Sequence, residues 1–428
     1  MDQKSIELRD RFEESILVST HDDCSPAIVA GNGIYVWDVD GHKYVDMSSQ
    51  VGIASLGQRH PTVMRDIRNY YAEPLMVEDG ELTACIGSDF IHPLMVELAE
   101  ELKRITPGNY PKKVGFKAGG GEAVDSCVKF LKKVSPERPF FISFIGAFHG
   151  RVGSAQQLTC SKYIQKDGYE RSGYFIKVPF NTDFDYLRKL IGCEFRGEQI
   201  NAVFLEFVQG EGGIIPADLD WITKLMDLCQ EYDITVVDDE IQTGLGRTGK
   251  MWACEHYRLI PDILVTSKAL GFGSAIAAFV VDANLIGKNL VKGWDSETFY
   301  APPDACLKAL ATIRVIEKEN LVANAENIGE ILGKRLKVFE SLYPQHYKTR
   351  GLGLMWGLEF SLNGRPDDKT RDEFIHQALD EGLLFIKAGQ GKPEKNPTVR
   401  FMPPLCISEK QLNEVMDKVE KIIFEITS

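Results

Sequence analysis

The chain has 428 residues, 44% of them hydrophobic, and a formal charge of -13 at pH 7. That length exceeds what one hydrophobic core ordinarily serves, and the acidic excess argues against a sequence-independent nucleic-acid surface, which needs clustered Lys and Arg. No apolar run reaches the roughly 18 residues of a spanning helix, and MDQKSIELRDRFEES lacks the basic and apolar regions of a signal peptide, so a cytoplasmic protein with no membrane partner is expected.

The first 60 residues read as a charged helix followed by GIYVWDVDGHKYVDM, where two apolar runs flank Asp40-Gly41 and predict a hairpin. The Gly-rich stretch Val51 to Pro61 reads as a loop, either a connector or part of a substrate cleft. From Phe116, FKAGGGEAVDSCVKFLKK places three glycines before Val124, Cys127, Val128 and Leu131, a helix face at i, i+3, i+4 and i+7. Apolar runs follow at FFISF (140–144), AVFLEF (202–207), ITVVD (234–238) and DILVT (262–266). They lack polar alternation, as strands covered on both faces do, and helix-like segments separate them. The fold class is therefore α/β, an open, mostly parallel sheet with helices on both faces and its ligand at the strands' carboxyl ends. After residue 303 the pattern changes to a helical stretch (304–342), the strands MWGLEF (355–360) and TVRFM (398–402), and a final helix (409–426) with Leu412, Val415, Val419, Ile422 and Ile423 on one face. The expected division is an N-terminal segment (1–60) belonging to a small α+β domain, a large domain (61–303) and the rest of the small domain (304–428). GQGKPEKNP (389–397) is the most loop-like stretch. The nine cysteines form no CxxC pair, so neither a disulfide framework nor a metal site is expected.

Several side chains in this frame carry chemistry. Gly120 and Gly121 at a helix N-terminus offer free N-H groups and a positive dipole end to a phosphate, or simply make a tight turn. Phe148 and His149 follow the strand FFISF; the ring is either core or a platform for a flat ligand, and the imidazole either structural or a base. Glu206 ends an apolar run, and Glu211 sits between glycines. In ITVVDDE the pleat sends Asp238 and Glu240 to one side and Asp239 to the other, so one side serves a ligand and the other the scaffold. Lys268 lies 29 residues beyond Asp239, at the end of an apolar strand, where a charged ammonium is costly unless neutral or covalently engaged. Arg400 in TVRFM needs a carboxylate or phosphate partner, from a ligand or an internal ion pair.

Taken in order, YVWDVDGHKYVD, DEIQTGLGRTG, PDILVTSKALGFG, TF and VRFMPPL resemble the class III pyridoxal-phosphate-dependent aminotransferases of fold type I, those acting on ornithine, 4-aminobutyrate and ω-amines. The resemblance implies pyridoxal 5'-phosphate as cofactor, with Lys268 binding it covalently and then moving protons. It implies Asp239 paired to the pyridine nitrogen, Gln242 near the ring hydroxyl, Gly120 and Gly121 in the phosphate cup, and Phe148 stacked on the ring. His149 and Glu206 complete the implied cofactor site. Thr298 matches a phosphate contact supplied by a neighbouring subunit, which implies a homodimer, or a tetramer built from dimers. Arg400 resembles the arginine that holds a substrate carboxylate, and Glu211 an acid that covers it while an ω-amine is bound. The implied substrates are an amino acid or ω-amine and a 2-oxo acid such as 2-oxoglutarate or pyruvate. The chain departs from the family at the cup, which reads Ala118-Gly119-Gly120-Gly121-Glu122-Ala123 without hydroxyl donors, at Gly57-Gln58, and at Gly271-Phe272-Gly273 with Ala275. A racemase, epimerase or aminomutase would use the same Lys268 and Asp239, and a binding protein could retain the fold without the chemistry.

Overall fold

The computed structural model describes residues 2–17, 25–72, 86–169, 172–288, 290–389 and 395–427. Cys24, Cys85 and residues 390–394 of the loop-like stretch lie outside them. The framework is a seven-stranded sheet of β1 (Lys112–Lys117), β2 (Phe140–Phe144), β3 (Phe175–Val178), β4 (Ile200–Leu205), β5 (Thr235–Asp239), β6 (Ile263–Thr266) and β7 (Ala277–Asp282). Its spatial order is β1-β7-β6-β5-β4-β2-β3. The strands β2 to β6 pair in parallel, and β7 runs antiparallel to both neighbours, β6 and β1.

The uninterrupted apolar runs have a direct cause. Every residue of β4 is buried, with Ala202 and Phe204 in the cluster of the helix Gly120–Val134. Val203 and Leu205 point the other way, into the cluster holding Ile222 and Leu225 of the helix Leu219–Glu231. Both faces are thus covered by helices, which removes the polar alternation. The expected helix face Val124, Cys127, Val128 and Leu131 is buried, as are all five named residues of the last helix, Glu409–Thr427.

The chain ends meet in a small sheet. The hairpin forms from Tyr35–Asp38 and Lys43–Asp46, and the Asp38 carboxylate accepts the backbone N-H groups of Asp40 at 3.0 Å and His42 at 2.8 Å across its turn. Leu383–Leu384 adds in parallel to Lys43–Asp46. A second, antiparallel sheet contains Tyr347–Leu352, Met355–Leu362, Thr398–Phe401 and Ile386–Ala388. The helical stretch after residue 303 is two helices, Pro303–Lys318 and Leu321–Leu342, separated where Asn320 adopts φ 52°. The first is buried nearly all round and packs on the helices Pro61–Ala72 and Pro93–Ile105. Among the described residues no helix is long and apolar enough to cross a membrane.

Candidate active site

The carboxyl ends of β2, β4, β5 and β6 converge on a cavity of about 160 Å³ lined by Gly120, Gly121, Phe148, His149, Gly150, Glu206, Glu211, Asp239, Ile241, Gln242, Ser267 and Lys268. A cleft of about 490 Å³ shares Phe148, Glu211 and Lys268 with it and adds Val51, Arg151, His376, Lys387 and Arg400. The residues singled out from the sequence thus come together from segments more than a hundred positions apart. Thr298 is the exception: it is exposed and lines neither space.

The strand β5 ends in the two aspartates, and its pleat separates them. Asp239 lines the cavity, whereas Asp238 gathers with Glu240 and Cys254, all buried and with ligating atoms within 4.8 Å of one another. On that scaffold side Glu240 accepts the Cys254 backbone N-H at 3.1 Å and the Thr243 hydroxyl. Burial pushes the Glu240 carboxyl up to about 7, and burial with the adjacent Glu240 pushes Asp238 up as well. The Asp239 carboxylate meets His149 Nδ1 at 2.7 Å and accepts the Ile241 N-H at 3.2 Å. His149 is therefore the partner that orients Asp239, and its buried Nε2 has no hydrogen-bond partner among the described residues.

Glu206 follows β4 and spends its oxygens on the backbone, accepting from Phe148 N-H at 3.0 Å and Gly210 N-H at 2.9 Å. Burial and the nearby Asp239 charge raise its pKa to about 7 against the opposing pull of His149 and those N-H groups. It fixes the loop that carries Phe148. Lys268 begins a short turn after β6 at φ 37°. Its burial lowers the ammonium pKa, with Arg400 adding to the effect and Glu211 and Asp239 opposing it. With its amide oxygen turned toward the two cations, Gln242 accepts from Lys268 Nζ at 3.1 Å and Arg400 Nη1 at 3.2 Å.

Arg400 is 4% exposed, donates from Nε to the Lys387 carbonyl at 3.1 Å and pairs through Nη2 with Glu211 Oε1. The second Glu211 oxygen lies 3.4 Å from Lys162 Nζ. Burial alone would raise the Glu211 pKa, but Arg400, Lys162 and Lys268 outweigh it and lower the value to about 2. Ahead of Thr298, buried Lys117 donates to the Asp295 carbonyl at 3.0 Å and pairs with its carboxylate at 3.1 Å, and Glu297 accepts the Ala118 N-H at 2.8 Å. The Thr298 loop is thereby tied to the glycine turn.

The glycine turn is dictated by packing. A Cβ on Gly120 would lie 2.7 Å from Ile241 Cδ1, and one on Gly150, at φ +129°, would lie 2.6 Å from the Gly121 Cα. Three residues at or beside the site escaped sequence reasoning. Gly150 had no signal beyond its place in FHGR. Arg151 holds its guanidinium 5.8 Å from the Phe148 ring centroid. Arg247 is fully buried and donates to the Leu354 and Pro403 carbonyls and the Ser49 and Ser55 hydroxyls. Its setting between glycines in GLGRTG was the available clue.

A family model described as "Aminotransferase class-III" matches residues 18–423. Among curated relatives, an acetylornithine aminotransferase from Methanocaldococcus jannaschii is 32% identical over 406 residues, spanning 93% of this chain and 94% of that protein. A probable 4-aminobutyrate aminotransferase from Bacillus subtilis is 30% identical over 415 residues, spanning 92% and 91%. An ornithine aminotransferase structure from Toxoplasma gondii, described with partial occupancy of PLP at the active site, superposes with a TM-score of 0.84 at 23% identity, covering 99% of this chain and 95% of that one.

Proposed function

Because the chain belongs to the class III aminotransferases, a pyridoxal-phosphate-dependent family of fold type I, we propose that it transfers an amino group from an ω-amine or amino acid to a 2-oxo acid, with 2-oxoglutarate and pyruvate as candidate acceptors. The observation that carries the reading is one cavity joining the His149-supported Asp239, the half-buried Lys268 and the glycine turn.

The residues present fit the cofactor. A cradle that side chains would fill at Gly120 and Gly150 suits a phosphate at the N-terminus of the helix Gly120–Val134. A buried carboxylate aimed into the cavity suits a protonated pyridine nitrogen, and the half-buried Lys268 on the same cavity suits covalent attachment. When bound, pyridoxal phosphate supplies the electron sink for the bonds broken at the substrate carbon. Asp239, oriented by His149 and the Ile241 N-H, would hold the ring nitrogen. Gln242 and Phe148, which line the same cavity, would hold the ring, and Glu206 fixes the Phe148 backbone. Lys268 takes and returns the proton at the substrate carbon, and its burial lowers the pKa toward the range where a base works at neutral pH.

Arg400 receives the carboxylate of the 2-oxo acid. While an ω-amine is bound Glu211 covers Arg400, and it withdraws when the acceptor arrives; the Glu211-Arg400 pair supports this exchange. Thr298 completes the phosphate site of a second copy in a homodimer. Exposed Phe90, Ile91 and Phe299 flank the 2.8 Å contact between His92 Nε2 and the Ala301 carbonyl and offer the apolar surface for it. The free cysteines among the described residues support a cytoplasmic location. The test is to supply purified protein and cofactor with a panel of amines plus 2-oxoglutarate and to measure glutamate. Racemisation of an enantiopure amino acid without glutamate would overturn the assignment.

A further inference from the structure

Glu211 touches two cations at once. Its Oε1 pairs with Arg400, which is almost wholly enclosed, and its Oε2 lies 3.4 Å from the Nζ of Lys162, whose side chain is 34% exposed. The reading above requires Arg400 to give up this carboxylate whenever a 2-oxo acid binds. Withdrawal into a space without a counter-charge would strand a desolvated carboxylate, which is strongly disfavoured. Lys162 removes that obstacle because it already holds the second oxygen, so rotation about the Glu211 side chain trades one partner for the other without passing through an unpaired state. Its backbone is fixed for the task. Gln165 is buried, its Oε1 accepts from Lys162 N-H at 3.0 Å and Ser161 Oγ at 2.6 Å, and its carbonyl accepts from Gln156 Nε2 at 2.8 Å.

We propose that Lys162 is a positioning residue for acceptor specificity: it takes over the Glu211 carboxylate when Arg400 turns to the carboxylate of the incoming 2-oxo acid. The inference rests on the proposed exchange at Arg400 and adds the group that makes the exchange feasible. Neither the amine nor the acceptor needs to touch Lys162.

The test uses the loaded enzyme and Lys162→Met, with each half-reaction followed separately by cofactor absorbance. Binding of glutarate, an unreactive dicarboxylate, is followed by calorimetry. The expected result is glutarate affinity weaker by about tenfold and a KM for 2-oxoglutarate higher by about tenfold, with kcat and the amine half-reaction within about twofold of the parent. Lys162→Arg restores the parent values, and Lys162→Met adds no further loss in a Glu211→Gln background. Equal losses in both half-reactions, or unchanged glutarate binding, would overturn the role of Lys162. If Glu211→Gln itself leaves the ratio of the two half-reactions unaltered, the exchange at Arg400 fails instead, independently of Lys162.

Discussion

Glu211→Gln removes one negative charge while keeping the shape of the side chain, and its consequence can be worked from the structure. Although burial opposes ionisation, Arg400, Lys162 and Lys268 bring the carboxyl to about 2 from an ordinary 4.5. Such a separation corresponds to about 3 kcal/mol in favour of the ionised folded state. The folded value lies below the unfolded one, so this stabilisation is complete above 4.5 and is lost as pH falls through about 2. The variant should therefore be less stable than the parent by about 3 kcal/mol at pH 7, with the gap shrinking to less than half by pH 3. Urea denaturation of the cofactor-free protein, followed by circular dichroism between pH 7 and pH 3, measures this directly. A gap independent of pH would mean that packing and not charge sets the effect, and the Arg400 pairing would lose its energetic basis.

Lys268→Met should stabilise the cofactor-free protein at pH 7, because burial holds the lysine's folded pKa below its unfolded 10.5. That advantage should fade as pH climbs toward 10.5, which thermal melts across the alkaline range would show. Gly150→Ala places a Cβ 2.6 Å from the Gly121 backbone at a strained positive φ; it should cost about 1–3 kcal/mol and weaken cofactor retention in equilibrium dialysis. Arg247→Met leaves two carbonyls and two serine hydroxyls without their buried donor; a loss of about 3–5 kcal/mol in chemical denaturation is expected, and Arg247→Lys, which lacks the planar fork, should not recover it.

The sheet was legible because both-face burial leaves a local trace, the unbroken apolar runs at Phe140–Phe144 and Ile263–Thr266. The split of Asp238 from Asp239 followed from the pleat alone. Other features have no local trace. The His149-Asp239 contact joins positions 90 apart, and the Lys162-Glu211 contact joins positions 49 apart, so either reading of His149 stayed open until the chain was folded. The break between Pro303–Lys318 and Leu321–Leu342 was missed because apolar periodicity continues past a single left-handed Asn320. Glu206 lines the cavity in which it was expected, but its two backbone acceptor bonds depend on where the Phe148 loop falls, which no local pattern encodes. Thr298 stands exposed and lines neither the cavity nor the cleft.

The central claim is that Lys268 is the covalent anchor of the cofactor, with Asp239 and His149 as its electronic support. The most direct measurement is to load the protein with pyridoxal phosphate, reduce it with borohydride and map the phosphopyridoxyl group by peptide mass spectrometry. The account predicts a visible absorbance band before reduction, the label on Lys268, and loss of both in Lys268→Ala. A label on Lys117, Lys162 or Lys177, with the band intact in Lys268→Ala, would contradict it.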